Sequence, residues 1–357
     1  WEAVAALLAC DYAGSQEQVA VLLLLTACSD RTLWTQEKNG HKDVIRIGVS
    51  IYDEYDIFTS SIVKYVEEWC KNKELELGIT INVEVVASNK NQLTKNDQIE
   101  KFVEKKYDVI CVNLVDRTNA MVIIDKARNA DIPIIFWNRE LVEEDLKRWD
   151  KLYYVGSQPE ESAVMQAQIV TDALRDEKRF VQVDVNGDGV IQYVILEGER
   201  SHQDALVRTQ VSIEEIKNAG FKVEKLGDEF ANWNRAQAMT KMNAFLDQYS
   251  WQIEMIIAND DIMALGAIDA LEERGVEQWP LIVGVNGQSE ALEMIKRKKM
   301  EGPVYHDAKG QGQAIAEIAY ALSTQTAIPD SVGLIDNRYV YTPYSIVNYD
   351  NVLEYCK

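Results

Sequence analysis

Basic residues are in short supply: 37 Lys and Arg stand against 58 Asp and Glu, a formal net charge of -21 at pH 7. That deficit argues against a nucleic-acid or anionic-membrane partner, both of which need basic patches. It favours a neutral or cationic ligand only weakly, because net charge speaks mainly to solubility. Cysteine is sparse too. The five, Cys10, Cys28, Cys70, Cys111 and Cys356, give no disulfide pattern, and Cys70 and Cys111 fall on apolar faces as small core residues. There is no Gly-x-x-x-x-Gly-Lys-Ser/Thr loop, no zinc-binding His-Glu-x-x-His and no Gly-x-Ser-x-Gly elbow, so three common enzyme signatures are missing. The chain also lacks a short-period repeat, and no low-complexity segment lies beyond residues 29–43.

What is present begins with an apolar run. Val19 to Ala27 is nine residues long, too short to span a bilayer and suited to the h-region of a signal. Its end, Leu25-Thr26-Ala27-Cys28, resembles the lipobox of bacterial lipoproteins, which implies cleavage before Cys28 and lipidation of it. The preceding residues lack Lys or Arg, and Leu7-Leu8-Ala9-Cys10 is a cruder copy. We therefore read residues 1–28 as an altered leader anchored through Cys28, and the polar, aperiodic residues 29–43 as a tether.

From Val44 the pattern is regular, and 357 residues suffice for two domains with full cores. Val44 to Tyr52 reads as a strand, Ile62, Val66, Trp69 and Cys70 recur at helical spacing, and Ile79 to Val85 alternates. A helix around Ile99 and Phe102, strands at Val109 to Leu114 and Ile132 to Trp137, and a helix over Met121 to Ala130 continue the series. A second series has a helix at Gln166 to Arg175 and strands at Val190 to Leu196, Val223 to Leu226, Ile253 to Ala258 and Leu281 to Val285. Strands joined by helices imply parallel sheets, so the fold class is α/β with two doubly wound parallel-sheet domains.

Asp184 to Gln192 reads Asp-Val-Asn-Gly-Asp-Gly-Val-Ile-Gln. Asp184, Asn186, Asp188 and Gln192 occupy positions 1, 3, 5 and 9 of a calcium loop, Gly189 permits its turn, and Val190 donates a backbone carbonyl. Ca²⁺ takes about six to eight oxygens, yet position 12, normally a bidentate Glu, is Ile195. The last ligand must come from elsewhere. An apolar, β-rich run follows where an EF-hand has a helix, so a structural staple is favoured over a calcium switch. The plainer alternative is a solvated Asp/Asn/Gly turn before a strand.

In open parallel sheets ligands bind outside the carboxyl ends of the strands. Asp56 and Phe58 follow the first strand; Asn138, Arg139 and Glu140 follow Trp137; His202, Asp204 and Arg208 follow Leu196; Trp233 follows Leu226. Asp260, Asn286 and His306 follow Ala258, Val285 and the short strand around Val304. Carboxylates, amides, an arginine and histidines match hydroxyls that both donate and accept, while two aromatics can lie on the C–H face of a pyranose. Such a set suits a sugar, although each residue alone could equally be a helix cap or a loop side chain.

At these residues the chain resembles the periplasmic galactose/glucose-binding proteins of the type I sugar-binding fold. Arg46-Ile-Gly-Val-Ser-Ile-Tyr52, Asn96-Asp-Gln-Ile99, Asn113-Leu-Val-Asp116, Asp125-Lys-Ala-Arg128 and Tyr153-Tyr-Val-Gly156 carry the resemblance. The calcium loop, His202-Gln-Asp204 and Ala236-Gln-Ala238 do so more specifically. The resemblance implies two lobes, residues 44–157 plus 307–341 and residues 158–306 plus 342–357. A three-crossing hinge near Gly156–Ser157, His306 and Tyr341–Thr342 would join them. It implies that Phe58 and Trp233 sandwich the sugar, that Asp56, Asn138, His202, Asp204 and Arg208 bond its hydroxyls, and that Glu254 completes the calcium site. Four positions depart from the family: Val190 stands for Gln, Asp260 for Asn, Asn286 for Asp and His306 for Asn. An added imidazole leads us to expect that sugar affinity changes below about pH 6.5 as His306 charges.

The expected function is extracytoplasmic, lipid-anchored capture of galactose or glucose by a monomer, with delivery to the permease of an ABC importer. A chemoreceptor could be a further partner. An Asp56/Asp204 glycosidase pair is disfavoured, since the resemblance assigns both to hydroxyl recognition. A sugar-responsive repressor would need a basic DNA-binding headpiece where this chain has an apolar run.

Overall fold

The computed structural model describes residues 44–356, within a single compact unit that starts at Val44. The leader, the tether and Cys28 lie outside the described residues.

The first run of elements is β1 (Val44–Ile51), α1 (Ile57–Leu77), β2 (Thr80–Ala87), α2 (Gln92–Glu104), β3 (Val109–Val112), α3 (Ala120–Asn129), β4 (Ile134–Trp137) and β5 (Leu152–Gly156). The next is α4 (Pro159–Arg175), β6 (Ile191–Glu197), α5 (Gln203–Asn218), β7 (Val223–Phe230), α6 (Arg235–Tyr249), β8 (Met255–Ala258) and α7 (Asp261–Glu273). It continues through β9 (Leu281–Asn286), α8 (Ser289–Lys296) and β10 (Gly302–His306). Then come α9 (Ala308–Thr324), β11 (Tyr339–Tyr341) and β12 (Tyr344–Ile346).

These strands form two six-stranded sheets of matching order, β11-β5-β4-β3-β1-β2 and β12-β10-β9-β8-β6-β7. All pairs are parallel except β10 with β12. This is the doubly wound α/β architecture that alternating strands and helices imply. Central strands are buried on both faces, so they read as unbroken apolar runs: Val-Ile-Cys-Val in β3, Ile-Ile-Phe-Trp in β4 and Met-Ile-Ile-Ala in β8. In the first lobe α1 and α9 cover one face, with Ile62, Val66, Ile315 and Ile318 against Ile45, Ile47 and Val49. The other face receives Ile99, Phe102 and Ile123 from α2 and α3. Second-lobe cores are laid out likewise around Met242, Leu265 and Ile295 on one side and Val170, Ile213 and Ile216 on the other. Cys70 and Cys111 are buried and free.

Several boundaries differ from the sequence reading by one or more residues, among them β3, which ends at Val112, and β4, which starts at Ile134, and three have a plain physical reason. β7 runs on to Phe230 because it is a sheet edge, and its half-exposed Gly-Asp-Glu carries no apolar signal. Strand β8 starts at Met255, since Ile253 ends a short 3₁₀ turn over Ser250–Gln252. Helix α4 begins at Pro159, whose fixed φ suits the first helical position, well before the apolar periodicity at Gln166.

The chain passes between the sheets at Ser157, which follows β5, at His306–Asp307, between β10 and α9, and at Thr342–Pro343, between β11 and β12. Ser157 Oγ and Thr342 Oγ1 lie 2.8 Å apart, which ties the first and third crossings together.

Candidate functional site

Each sheet reverses its strand order once, between β1 and β3 and between β6 and β8. Reversal splays the following loops apart and leaves a crevice at the carboxyl ends of the strands. Asp56, Phe58, Asn138, His202, Asp204, Arg208, Trp233, Asp260, Asn286 and His306 all line one cleft there. The structure thus brings together, from residues as far apart as 56 and 306, ten of the twelve residues singled out at strand ends; Arg139 and Glu140 instead line an adjoining pocket that shares His202 and Asp204.

Several of these residues are also helix caps. Asp56 accepts the Thr59 N–H at 3.0 Å at the start of α1, Asp260 accepts the Met263 N–H at 2.9 Å at the start of α7, and His202 Nδ1 accepts the Asp204 N–H at 3.2 Å at the start of α5. The cap and the ligand-facing role are therefore two uses of one side chain, since a cap occupies only part of a carboxylate. Burial raises the Asp56 pKa, with the Thr59 N–H opposing it. Burial, with the Asp56 charge adding to it, raises Asp260 to about 7, so near neutrality this carboxyl can donate as well as accept. His202 is pushed well below its ordinary value by burial and by Arg139, Arg208 and Arg117, and is neutral at pH 7.

Arg208 is the centre of the second lobe's contribution. Its Nε donates to Ser162 Oγ at 2.9 Å, one terminal nitrogen to the Asn259 carbonyl at 3.0 Å, and the other to Tyr344 Oη at 3.1 Å and Asp204 Oδ2 at 3.4 Å. A buried guanidinium needs such a full set of acceptors, and the fork is held rigid by them. Ser162, Asn259 and Tyr344 carry no ligand signature in the sequence. They come from α4, the end of β8 and β12, and only packing brings them to Arg208.

Three cleft residues have left-handed backbones: Asn138 (φ 62°), Trp233 (φ 57°) and Asn286 (φ 116°). Such conformations are uncommon outside glycine and concentrate at functional sites, where the surrounding fold holds them. The Trp233 indole lies so close to the Gly198 backbone that a Cβ there would sit 2.0 Å from the ring, so Gly198 is required for its placement. Its ring meets His202 edge-on, with centroids 5.1 Å apart.

His306 departs from expectation. Its ring is stacked on Phe58 with centroids 4.2 Å apart and planes 19° apart, so one face of Phe58 meets the imidazole. Burial, aided by the Arg208 charge, pushes its pKa well below the ordinary value. The expected titration near pH 6.5 is thereby corrected: charging an imidazole enclosed by rings and beside a guanidinium is unfavourable, and the ring stays neutral through that range.

One further residue closes the cleft from outside the candidate set. Glu199 of the second lobe accepts from Tyr52 Oη at 2.6 Å, Arg139 at 2.8 Å and Lys90 at 3.1 Å, all of the first lobe. Arg139 also lies 3.6 Å over the Tyr52 ring. This seal had only a faint sequence signal, the charged stretch after Leu196, because its partners are distant in the chain.

Away from the cleft, Asp184, Asn186, Asp188 and Gln192 curl together before and into β6. Asn186 Nδ2 lies 3.0 Å from Asp188 Oδ2 and 3.1 Å from Gln192 Oε1, and Gln192 Nε2 lies 3.1 Å from Asp188 Oδ2. Glu254 accepts the N–H groups of Val185 at 2.7 Å and Gln192 at 3.0 Å, which draws its carboxylate against the loop. Asp184 Oδ1 is buried without a partner, the kind of orphan oxygen a cation would satisfy. Among the described residues no three His, Cys, Asp or Glu side chains are gathered closely enough to count as a metal cluster. Two of the loop's donors are amides and one, Val190, offers a carbonyl, so the donor chemistry still fits a hard cation such as Ca²⁺.

The periplasmic binding protein domain model matches residues 47–326. The chain is 34% identical to the D-galactose/methyl-galactoside binding periplasmic protein of Haemophilus influenzae, over 87% of this chain and 92% of that one. It is 26% identical to the xylitol-binding protein of Mycolicibacterium smegmatis, over 78% and 70% respectively. Among solved structures, an ABC transporter solute-binding protein from Bacillus halodurans with bound myo-inositol superposes with a TM-score of 0.72 at 26% identity, covering 87% of this chain and 97% of that one. Two doubly wound lobes around a polar, aromatic-walled cleft, together with these similarities, lead to one statement: the chain belongs to the periplasmic binding proteins, which are solute-binding proteins and not enzymes.

Proposed function

We propose that this protein captures galactose, glucose or both between its lobes and delivers the sugar to the permease of an ABC importer, working outside the cytoplasm on a lipid anchor at Cys28. The observation that carries the sugar reading is the convergence of ten polar and aromatic residues from seven strand ends on one cleft. Hydroxyls need partners that donate and partners that accept, which the Asn138 and Asn286 amides, the Asp56 carboxyl as an acceptor and Asp260, raised to about 7, provide. The relative from Haemophilus influenzae points to the same ligand class. Closure is a hinge motion driven by tighter binding of the sugar to the closed form, with the Glu199 contacts adding to that form. Calorimetric titration with galactose, glucose, xylose, ribose and arabinose tests the assignment. Binding by neither hexose would overturn the ligand and leave the fold untouched.

The three departures that line the cleft, Asp260, Asn286 and His306, favour a second reading, another pentose or hexose. The same titration separates the two. We also propose a structural Ca²⁺ held by Asp184, Asn186, Asp188, the Val190 carbonyl, Gln192 and Glu254. The ion would supply charge compensation that ties the loop to the start of β8. Chelation should then lower the melting temperature more than it lowers sugar affinity, and the reverse order would mark a regulatory site.

A further inference from the structure

His306 closes β10 and is 4% exposed, held between Phe58 of the first lobe and Tyr344 of the second, whose centroids lie 4.2 Å and 4.5 Å from its own. Its Nε2 lies 2.6 Å from Gln311 Nε2 and 3.1 Å from Ser157 Oγ, and Gln311 Nε2 is also 3.3 Å from Ser157 Oγ. Ser157 in turn meets Thr342 Oγ1. One ring nitrogen is therefore bonded into the hinge, where all three crossings meet. The other, Nδ1, is buried with no partner.

We infer that the hinge fixes His306 as its Nδ1–H tautomer and so makes it an obligate hydrogen-bond donor to the ligand, with Gln311 and Ser157 as the positioning residues. The inference rests on the sugar reading of the cleft for its ligand, and on the hinge geometry for the tautomer.

The orientation of the Gln311 amide decides the tautomer, and which way an amide points is settled by its surroundings. As placed, its two N–H bonds serve His306 Nε2 and Ser157 Oγ, and only the carbonyl Oε1 is left without a partner. Turning the amide over would put both N–H groups where Oε1 finds no partner. Orphaned buried donors are rarer and costlier than an under-satisfied carbonyl, so the first orientation wins. His306 Nε2 then accepts, and in a neutral ring the proton must sit on Nδ1. Burial and the nearby Arg208 keep the ring neutral.

An amide at this position, as the family resemblance supplies, could both donate and accept. The locked imidazole can only donate. The sugar oxygen facing it must therefore accept here and send its own proton elsewhere.

Side-chain ¹⁵N spectroscopy of the ligand-free protein at pH 7, with His306 assigned by comparison with His306→Asn, should show Nδ1 protonated and Nε2 bare. A protonated Nε2 would overturn the inference, whatever sugar binds. In Gln311→Glu the new carboxylate accepts from Nε2–H. If the spectrum then shows Nδ1 bare, Kd for the hexose should rise about tenfold, the loss of one hydrogen bond. If it shows the imidazolium, which keeps Nδ1–H, Kd should not rise, and such a rise there would overturn the inference. A reversed tautomer with unchanged Kd would also overturn it. If neither galactose nor glucose binds the wild type, the sugar assignment fails while the spectrum still decides the tautomer, and it does so even if the variant does not fold.

Discussion

The two lobes share a strand order but contribute unequally to the cleft. The first offers Asp56 and Phe58 from the start of α1 and Asn138 from the loop after β4; the second offers His202, Asp204, Arg208, Trp233, Asp260 and Asn286, with His306 at the crossing. Second-lobe residues are interlocked, since Arg208 alone bonds four groups, whereas Asp56 has a helix N–H for its partner. The comparison teaches that one lobe is a pre-assembled receptor, its ligand groups bonded into one network, and the other a cover that holds its ligand groups singly, Asp56 by the Thr59 N–H and Asn138 by Asn113.

The largest expected break of that asymmetry is Arg208→Ala. It strips a buried carboxylate of its cation, so urea denaturation should report a loss of roughly 3–5 kcal/mol and titration should find no sugar binding. Asp56→Ala should cost only about 0.5–2 kcal/mol, the value of a helix cap, although it too weakens binding. Equal stability losses for the two would refute the receptor-and-cover picture.

Asp260 gives the next effect. Its folded pKa of about 7 lies above the ordinary 3.8, so the fold favours the neutral acid. The stabilisation is complete below about pH 4 and disappears as pH rises through 7. Ligand-free wild type should therefore melt higher at pH 5.5 than at pH 8 by more than Asp260→Asn does. A matching pH response in the two proteins would remove Asp260 as the source.

Glu199→Gln should have the smallest effect, and a kinetic one. With the seal weakened by about 0.5–1.5 kcal/mol, stopped-flow measurements should show sugar leaving several-fold faster, at little change in melting temperature. An unchanged dissociation rate would mean that the cover closes without Glu199.

How much of this was legible beforehand depended on locality. Asp56 and Asp260 could be found because they follow apolar strands and precede helices, and both signals lie within a few residues of them. Ser162 and Tyr344 could not, because each acts on Arg208 from a distant part of the chain, 136 residues away for Tyr344; Gln311 is a near neighbour of His306, but the Ser157 hydroxyl that orients it lies 154 residues away. Reading His306 as a titrating group failed for the same reason: its type was visible, but the rings and guanidinium around it were not.

By itself the sequence determined the strand and helix alternation, the two largely parallel sheets, the Asp/Asn/Gly loop before β6 and the residue types at the strand ends, because periodicity and strand termini are local properties of the chain. Tertiary structure alone decided which polar atoms are already satisfied and which are left for a ligand. That selection depends on burial and on partners from other segments, and it sets the charge on Asp260, the neutrality of His306 and the lock on Arg208.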